Sequence, residues 1–186
     1  MIYPVYVYGT SILRKVAKEI PKDYPGLQEL ISDMFETMYH AEGVGLAAPQ
    51  IGKSIRLFVI DATAVEEEDE EFINDFKKVF INPIIVEEAG EEWAFNEGCL
   101  SIPLIREDVN RKPELRIQYY DENWEYHDEK YEGVKARIIQ HEYDHLEGIL
   151  FVDKINPLRR RLLNGKLNAI TKGKVDIDYK IKTPSK

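Results

Sequence analysis

The sequence contains a single cysteine, Cys99, so no disulfide can form within the chain and a reducing compartment is favoured. No apolar run approaches the roughly 18 residues that a membrane-spanning helix requires. The N-terminus lacks a charged region before its apolar residues and a small-residue cleavage site, so a secretory signal is not expected there. These absences predict a cytoplasmic protein that does not enter a membrane.

Basic residues are scarce over most of the chain and concentrated near its end. Residues 1–153 contain 15 Lys and Arg against 32 Asp and Glu, a net charge of −17, whereas residues 154–186 contain 10 against 2, a net charge of +8. The acidic body argues against DNA binding. The basic segment either contacts an anionic partner or forms a solvated helix face and tail.

Length and apolar periodicity predict one domain that includes three helices. The chain has 186 residues, of which 44 % are hydrophobic and 32 % charged, as in ordinary globular proteins. The spacing of apolar residues predicts helices over 27–38, over about 132–147 and from 156 onwards. The buried stripe of the third helix is predicted to consist of Leu158, Leu162, Leu163, Leu167 and Ile170.

Short segments rich in β-branched and aromatic residues predict strands at 54–60, 80–86 and 114–120. The last is expected to turn at 121–123 into an antiparallel hairpin. Six consecutive acidic residues at 66–71 predict that residues 61–79 form a solvated insertion with no catalytic role. The predicted fold is a single α+β domain over residues 1–186, with antiparallel strands around a central helix. A basic C-terminal helix and tail occupy 154–186.

The strongest local signal is the segment HEYDH at 141–145 in the second predicted helix. Its two histidines, His141 and His145, project from one helical face and can share one metal ion. Glu142 neighbours both, so it can act as an acid/base on a water at that metal without being a ligand. The alternative is two hydrogen-bonded helix histidines, which the otherwise apolar face disfavours. Phe151 stands where the long metalloprotease pattern has a third histidine, which argues against that class.

A catalytic metal needs a third protein ligand, and the only thiol lies upstream in EGCLSIP at 97–103. Gly98, immediately before Cys99, permits a sharp turn and a close approach. Two alternatives are a buried, inert cysteine and a cysteine nucleophile activated by a histidine. The nucleophile would leave the second histidine and Glu142 unexplained.

The segment GVGLAAPQIG at 43–52 consists mostly of small residues and suits a strand that another backbone approaches closely. Within it, Gln50 offers an uncharged amide that can donate to a developing oxyanion.

These three segments, in this order and at these separations, resemble the signature motifs of the peptide deformylase family. Its enzymes remove the formyl group from the initiating N-formylmethionine of nascent bacterial polypeptides and release formate. The resemblance covers residues 11–155, and more loosely the C-terminal helix.

The resemblance implies a role for each residue that matches a family motif. The implied metal ligands are Cys99, His141 and His145, with Glu142 as general base and acid. Gln50 and the backbone N–H of Leu100 would bind the oxyanion. The implied substrate-binding residues are the strand-edge residues Val44, Gly45 and Gly98, together with Arg106 and, in the methionine pocket, Ile138.

The donor set of one thiolate and two imidazoles suits Fe²⁺, Zn²⁺, Ni²⁺ or Co²⁺ and excludes Mg²⁺ and Ca²⁺. The resemblance implies Fe²⁺, and nascent formyl-methionyl peptides as substrates. The basic helix from 156, with arginines at 159–161, is hypothesised to dock near the ribosomal peptide exit. In the alternative, the helix packs on the core through its leucines and the arginines only solvate its outer face.

Two other functions remain in view. A metallopeptidase would cleave unformylated peptides. A non-enzymatic metal-stabilised module would need a fourth protein ligand, and the remaining histidines, His40 and His127, lack ligand-like spacing.

Overall fold

The computed structural model describes residues 1–63 and 75–185 of the chain. Its helices are α1 (Leu27–His40), α2 (Gly133–Leu146), α3 (Pro157–Leu162) and α4 (Asn164–Thr171). Its strands are β1 (Val5–Tyr6), β2 (Gly45–Ala47), β3 (Leu57–Asp61), β4 (Lys77–Ala89), β5 (Trp93–Cys99), β6 (Ile102–Arg111), β7 (Glu114–Tyr120), β8 (Tyr126–Glu132) and β9 (Ile181–Lys182). The predicted α+β class is therefore confirmed.

The main sheet has five strands in the order β2-β3-β4-β7-β8, and every neighbouring pair is antiparallel. Strand β3 is apolar along its length because both of its faces are buried. Leu57 and Val59 belong to the core cluster beside α1, whereas Phe58 and Ile60 belong to the cluster beside α2. The sheet therefore separates the two longest helices.

Helix α2 lies between the main sheet and the β5–β6 hairpin. Ala136 and Ile139 pack in the core cluster against the sheet. On the side towards the hairpin, Arg137 donates to the carbonyl of Val109 at 2.7 Å, and Gln140 donates to the carbonyl of Lys112 at 3.0 Å. This position brings one turn of α2 against the end of β5, as the prediction of a central helix requires.

The predicted helices over 27–38 and 132–147 are confirmed as α1 and α2, and the strand over 114–120 coincides with β7. The predicted strands over 54–60 and 80–86 correspond to β3 and to the middle of β4. The predicted strand over 43–52 is mostly wrong, because only Gly45–Ala47 is extended and a 3-10 turn follows at Ala48–Ile51. The six acidic residues of the predicted insertion lie outside the described residues.

The predicted single C-terminal helix is two helices, α3 and α4, separated at Leu163. Leu163, Leu167 and Ile170 are buried as predicted, but Leu158 and Leu162 are 65 % and 67 % exposed. At 3.6 residues per turn, these two side chains point to roughly the opposite side from the other three, so one stripe cannot include both sets.

The chain continues beyond α4 as an extended segment that returns to the body. Strand β9 pairs in parallel with β1, with Val5 opposite Ile181. Among residues 175–182 the odd-numbered side chains are half-buried and the even-numbered ones are exposed. The described part of the chain contains no helix that is both long and apolar enough to cross a membrane.

Candidate metal centre

Three donor side chains meet where α2 faces the end of β5. Cys99 is the last residue of β5, and His141 and His145 lie one turn apart on α2. The Cys99 Sγ lies 3.3 Å from Nε2 of His145, and one donor atom from each of the three residues lies within 4.8 Å of the others. The structure thus brings together the three candidate ligands that the sequence motifs suggest.

Glu97 orients one of these histidines. Its carboxylate lies 3.0 Å from Nδ1 of His141, which leaves the other ring nitrogen to face the cluster. Arg111 binds the same carboxylate through two bonds of 2.6 and 3.0 Å, and Arg137 adds a third at 3.0 Å. Although burial raises the pKa of Glu97, the bonds from His141 and Arg111 hold that pKa well below its usual range.

Sequence reasoning missed Glu97 and its two arginines as parts of the site. Glu97 stands two residues before the cysteine in EGCLSIP, and metal-binding histidines almost always donate to a carboxylate, carbonyl or water. This rule could have indicated Glu97 as a hydrogen-bond partner of a metal-binding histidine. Arg111 and Arg137 lie in separate elements, and their convergence on Glu97 depends on the packing of β6 against α2.

The pKa values of the two histidines are shifted in opposite directions, and the shift of His145 favours metal binding. Burial lowers the pKa of His145 and so favours its neutral, ligating form. For His141, burial opposes the charged form, but hydrogen bonds with Cys99 and Glu97 raise its pKa. The Nδ1 of His145 is buried without a hydrogen-bond partner among the described residues. A thiol sulfur and two imidazole nitrogens at this separation fit Fe²⁺, Zn²⁺, Ni²⁺ or Co²⁺.

The cluster offers three protein donors within the described ranges, the number typical of catalytic rather than structural sites. Phe151 is buried, and its ring stacks on the His141 ring with centroids 6.1 Å apart. An aromatic ring rather than a further donor therefore lies beside His141. Of the two remaining histidines, His127 lies in a second group of possible metal-binding side chains, together with Asp121 and Glu125. There its Nε2 lies 2.7 Å from the Asp121 carboxylate, within hydrogen-bond distance.

Glu142 lies beside the cluster with its carboxylate buried. The residue is 4 % exposed, and its Oε2 has no hydrogen-bond partner in the parts of the chain described. Burial raises the pKa of Glu142 to about 7. A Cβ built on Gly45 would lie 2.7 Å from the Glu142 Cδ, so only glycine lets β2 approach this carboxylate so closely.

Gln50 and Leu100 border the same cluster. The Gln50 Oε1 accepts a bond of 2.8 Å from the backbone N–H of Ala47, which points the amide nitrogen the other way. That nitrogen lies 3.6 Å from the Cys99 Sγ and 3.2 Å from the Ser101 Oγ. Leu100 follows the cysteine directly, in a turn between β5 and β6.

A cleft of about 550 Å³ opens beside the cluster. Val44 and Gly45 lie on one side, where β2 is the edge strand of the main sheet, and Gly98 lies in the β5–β6 hairpin. Ile138, 9 % exposed, and the exposed Arg106 also line it. Two further lining residues, Ile177 and Tyr179, come from the C-terminal segment and were not predicted.

The fold and the donor set are those expected of a metal-dependent hydrolase, with a candidate single-metal site carried by one helix and one strand. A model of the family described as polypeptide deformylase matches residues 2–161. The chain belongs to the polypeptide deformylase family, whose enzymes remove the formyl group from N-terminal methionine.

Relatives of this family resemble the chain over nearly its whole length. A peptide deformylase of Christiangramia forsetii is 55 % identical and aligns with 100 % of this chain and 97 % of its own. A crystal structure of a peptide deformylase from Legionella pneumophila has a TM-score of 0.79 at 38 % identity, covering 94 % of this chain and 98 % of that one. A crystal structure of a peptide deformylase from Synechococcus elongatus in complex with actinonin has a TM-score of 0.75 at 39 % identity. It covers 92 % of this chain and 87 % of its own.

Proposed function

We propose that this chain hydrolyses the formyl amide of formyl-methionyl peptides with one divalent metal ion held by Cys99, His141 and His145. The observation that carries this proposal is the buried carboxylate of Glu142, whose Oε2 has no hydrogen-bond partner among the described residues, beside three metal-type donors. Family membership supplies the reaction. When bound, the metal supplies Lewis acidity that polarises the formyl carbonyl and acidifies water. Fe²⁺ is the ion we propose, with Zn²⁺, Ni²⁺ and Co²⁺ as ions that the same donors accept.

Glu142 is the proposed proton carrier. With a pKa of about 7, its carboxylate can take a proton from the attacking water and release it again near neutral pH. The water oxygen forms a bond to the formyl carbon, and the carbon–nitrogen bond then breaks. The proton held by Glu142 goes to the departing amine, so the products are formate and a free N-terminus.

Gln50 and Leu100 are the proposed oxyanion donors. The Gln50 amide is fixed by Ala47 and turned towards Cys99, so it is oriented before any substrate arrives. The backbone N–H of Leu100 is adjacent to the ligand cysteine in the chain. Such preorganised donors typically contribute a few kcal/mol each to transition-state stabilisation.

The peptide is proposed to bind in extended form between the edge at Val44 and Gly45 and the β5 residue Gly98. Strand-like main-chain pairing accepts nearly any sequence, while Ile138 helps line a pocket for the methionine side chain. Arg106 is held beside the cleft by Asn96, to which its Nε donates at 2.8 Å, and is proposed to contact residues further along the peptide. An acetyl group carries a methyl where a formyl group carries a hydrogen, and this extra methyl is proposed to select against acetylated peptides.

Formate release from formyl-Met-Ala-Ser, with Met-Ala-Ser as control, tests this proposal. Formate from the first peptide and an intact second peptide is the expected result, and a chelator should abolish the activity until Fe²⁺ or Zn²⁺ is restored. Cleavage of the unformylated peptide would indicate a metallopeptidase, and a bound metal without any turnover would indicate a structural module. Elemental analysis of anaerobically purified protein, measured beside activity, identifies the ion.

We also propose a cytoplasmic setting and docking to the ribosome, because the substrates are nascent chains. The exposed basic residues of the C-terminal region form the proposed contact surface. Arg159 is paired with Glu107 at 2.7 Å, and Arg160 donates to the Tyr8 hydroxyl at 2.8 Å, whereas Arg161 is exposed. Lys166 on α4 is exposed as well.

A further inference from the structure

The C-terminal segment, residues 175–182, forms part of the cleft although it lies beyond residue 161, where the family match ends. Its sequence, VDIDYKIK, alternates apolar and charged residues with a period of two, the pattern of an extended chain with one buried face. Ile177 and Tyr179 on that face line the cleft. The segment is therefore a wall of the site rather than a solvated tail.

Tyr179 makes a specific contact with the turn that follows the ligand cysteine. Its hydroxyl donates to the carbonyl oxygen of Leu100 at 2.8 Å, and the ring is half-buried. Burial, together with the nearby Cys99, raises the pKa of Tyr179, so the hydroxyl stays protonated and remains a donor.

The same turn is held from two other directions at Ser101. The backbone N–H of Tyr8 donates to the Ser101 carbonyl at 2.8 Å, and the Gln50 amide lies 3.2 Å from the Ser101 hydroxyl. Tyr8 lies two residues beyond the end of β1, the strand that pairs with the C-terminal segment. Of these three contacts among the described residues, only the one from Tyr179 is made with Leu100 itself.

The backbone of the segment is firmly placed. Val5 donates to the carbonyl of Lys180 at 2.8 Å and Val7 to that of Lys182 at 3.0 Å, one on each side of the β1–β9 pairing. Ile181 packs against a core cluster that also contains Val7. The Tyr179 ring therefore projects from a fixed backbone towards Leu100.

We propose that Tyr179 is a positioning residue for deformylation, which fixes the Leu100 carbonyl and thereby the direction of the Leu100 N–H. The N–H and the carbonyl lie in the two rigid peptide planes that meet at the Leu100 Cα atom, so with the carbonyl plane anchored only the φ and ψ rotations of Leu100 can redirect the N–H. A donor held in place before the reaction stabilises developing charge without reorganisation. This inference rests on the proposed function, in which Leu100 is an oxyanion donor.

The variant Tyr179→Phe tests the proposal because it keeps the ring and removes only the hydroxyl. We expect kcat for formyl-Met-Ala-Ser to fall about tenfold, since the half-buried Leu100 carbonyl loses its partner and the turn loosens. The KM, the inhibition constant of the product Met-Ala-Ser and the bound metal per chain should stay within about twofold of the parent. Tyr126→Phe, at a tyrosine that is 56 % exposed, is the matched control and should behave as the parent.

Hydrogen–deuterium exchange at residues 100–102 gives a second readout that does not depend on turnover. Exchange there should be faster in Tyr179→Phe than in the parent and unchanged in Tyr126→Phe. Unchanged exchange overturns the proposal, and so does a kcat within twofold of an active parent. A fall in kcat accompanied by metal loss or a parallel rise in KM would reveal a general structural role instead. If the parent itself releases no formate, the proposed function fails, and the exchange experiment alone decides whether Tyr179 anchors Leu100.

Discussion

Glu142 is buried beside His141 and His145, the two proposed histidine ligands, so a variant without its charge tests proton transfer separately from metal binding. Glu142→Gln keeps the size of the side chain and should lower kcat by roughly 10²–10⁴-fold. Metal per chain should stay at the parent level, because the three proposed ligands remain. Formate release and elemental analysis of one preparation check both statements, with the exposed Glu132→Gln as control. Loss of metal from the Glu142 variant would reassign that carboxylate as a ligand.

Cys99 supplies the only sulfur donor of the described cluster. In Cys99→Ser a neutral hydroxyl replaces a thiolate, so the affinity for a borderline-soft ion should fall by roughly tenfold or more, with a matching loss of activity. Titration with Zn²⁺ against a chromogenic chelator measures the affinity directly. A variant with full metal and full rate would place the third ligand elsewhere.

Strand β2 and helix α2 come into close contact at Gly45 and Glu142. In Gly45→Ala the new methyl group would meet the carboxylate, so the Glu142 side chain or one of the two elements must shift. A displaced proton carrier should lower kcat by about 10²-fold while metal binding persists. Gly165→Ala, within α4 with nothing inside 4 Å of the new Cβ, is the matched control and should leave kcat unchanged. Equal kcat values for the two variants would show that the contact at Gly45 is dispensable.

Elements with strong periodicity were predictable from the sequence, and those specified by distant partners were not. Strand β7 alternates buried and exposed side chains along its length, and its bounds agree with the prediction. Strand β5 was missed because the buried Glu97 looks like a surface residue until Arg111 and Arg137 surround it. The meeting of His141 and His145 on one face of α2 was predictable because their spacing is local, whereas Tyr179 reaches the site from a distant segment whose sequence predicts only a basic tail.

The charge distribution over the whole molecule underlies the docking hypothesis. We expect Arg161→Gln combined with Lys166→Gln to reduce co-sedimentation with ribosomes at low salt, because fewer phosphate counterions are released. Deformylation of a short free peptide should not change. The double variant Lys15→Gln and Lys22→Gln removes the same charge from exposed sites elsewhere and serves as control. Equal co-sedimentation of all three proteins, or none by the parent, would remove the hypothesis and leave the active-site proposals intact.

The contact between Tyr179 and Leu100 spans 79 positions of the chain, and β9 must find β1 near the other end. Synthesis is vectorial, so a long-range contact forms only after its later partner has been made. The strand and helix that carry the three ligands are therefore translated well before the segment that closes the cleft. An enzyme whose substrates are growing chains can complete its own cleft only after residues 175–182 of its own chain have been made.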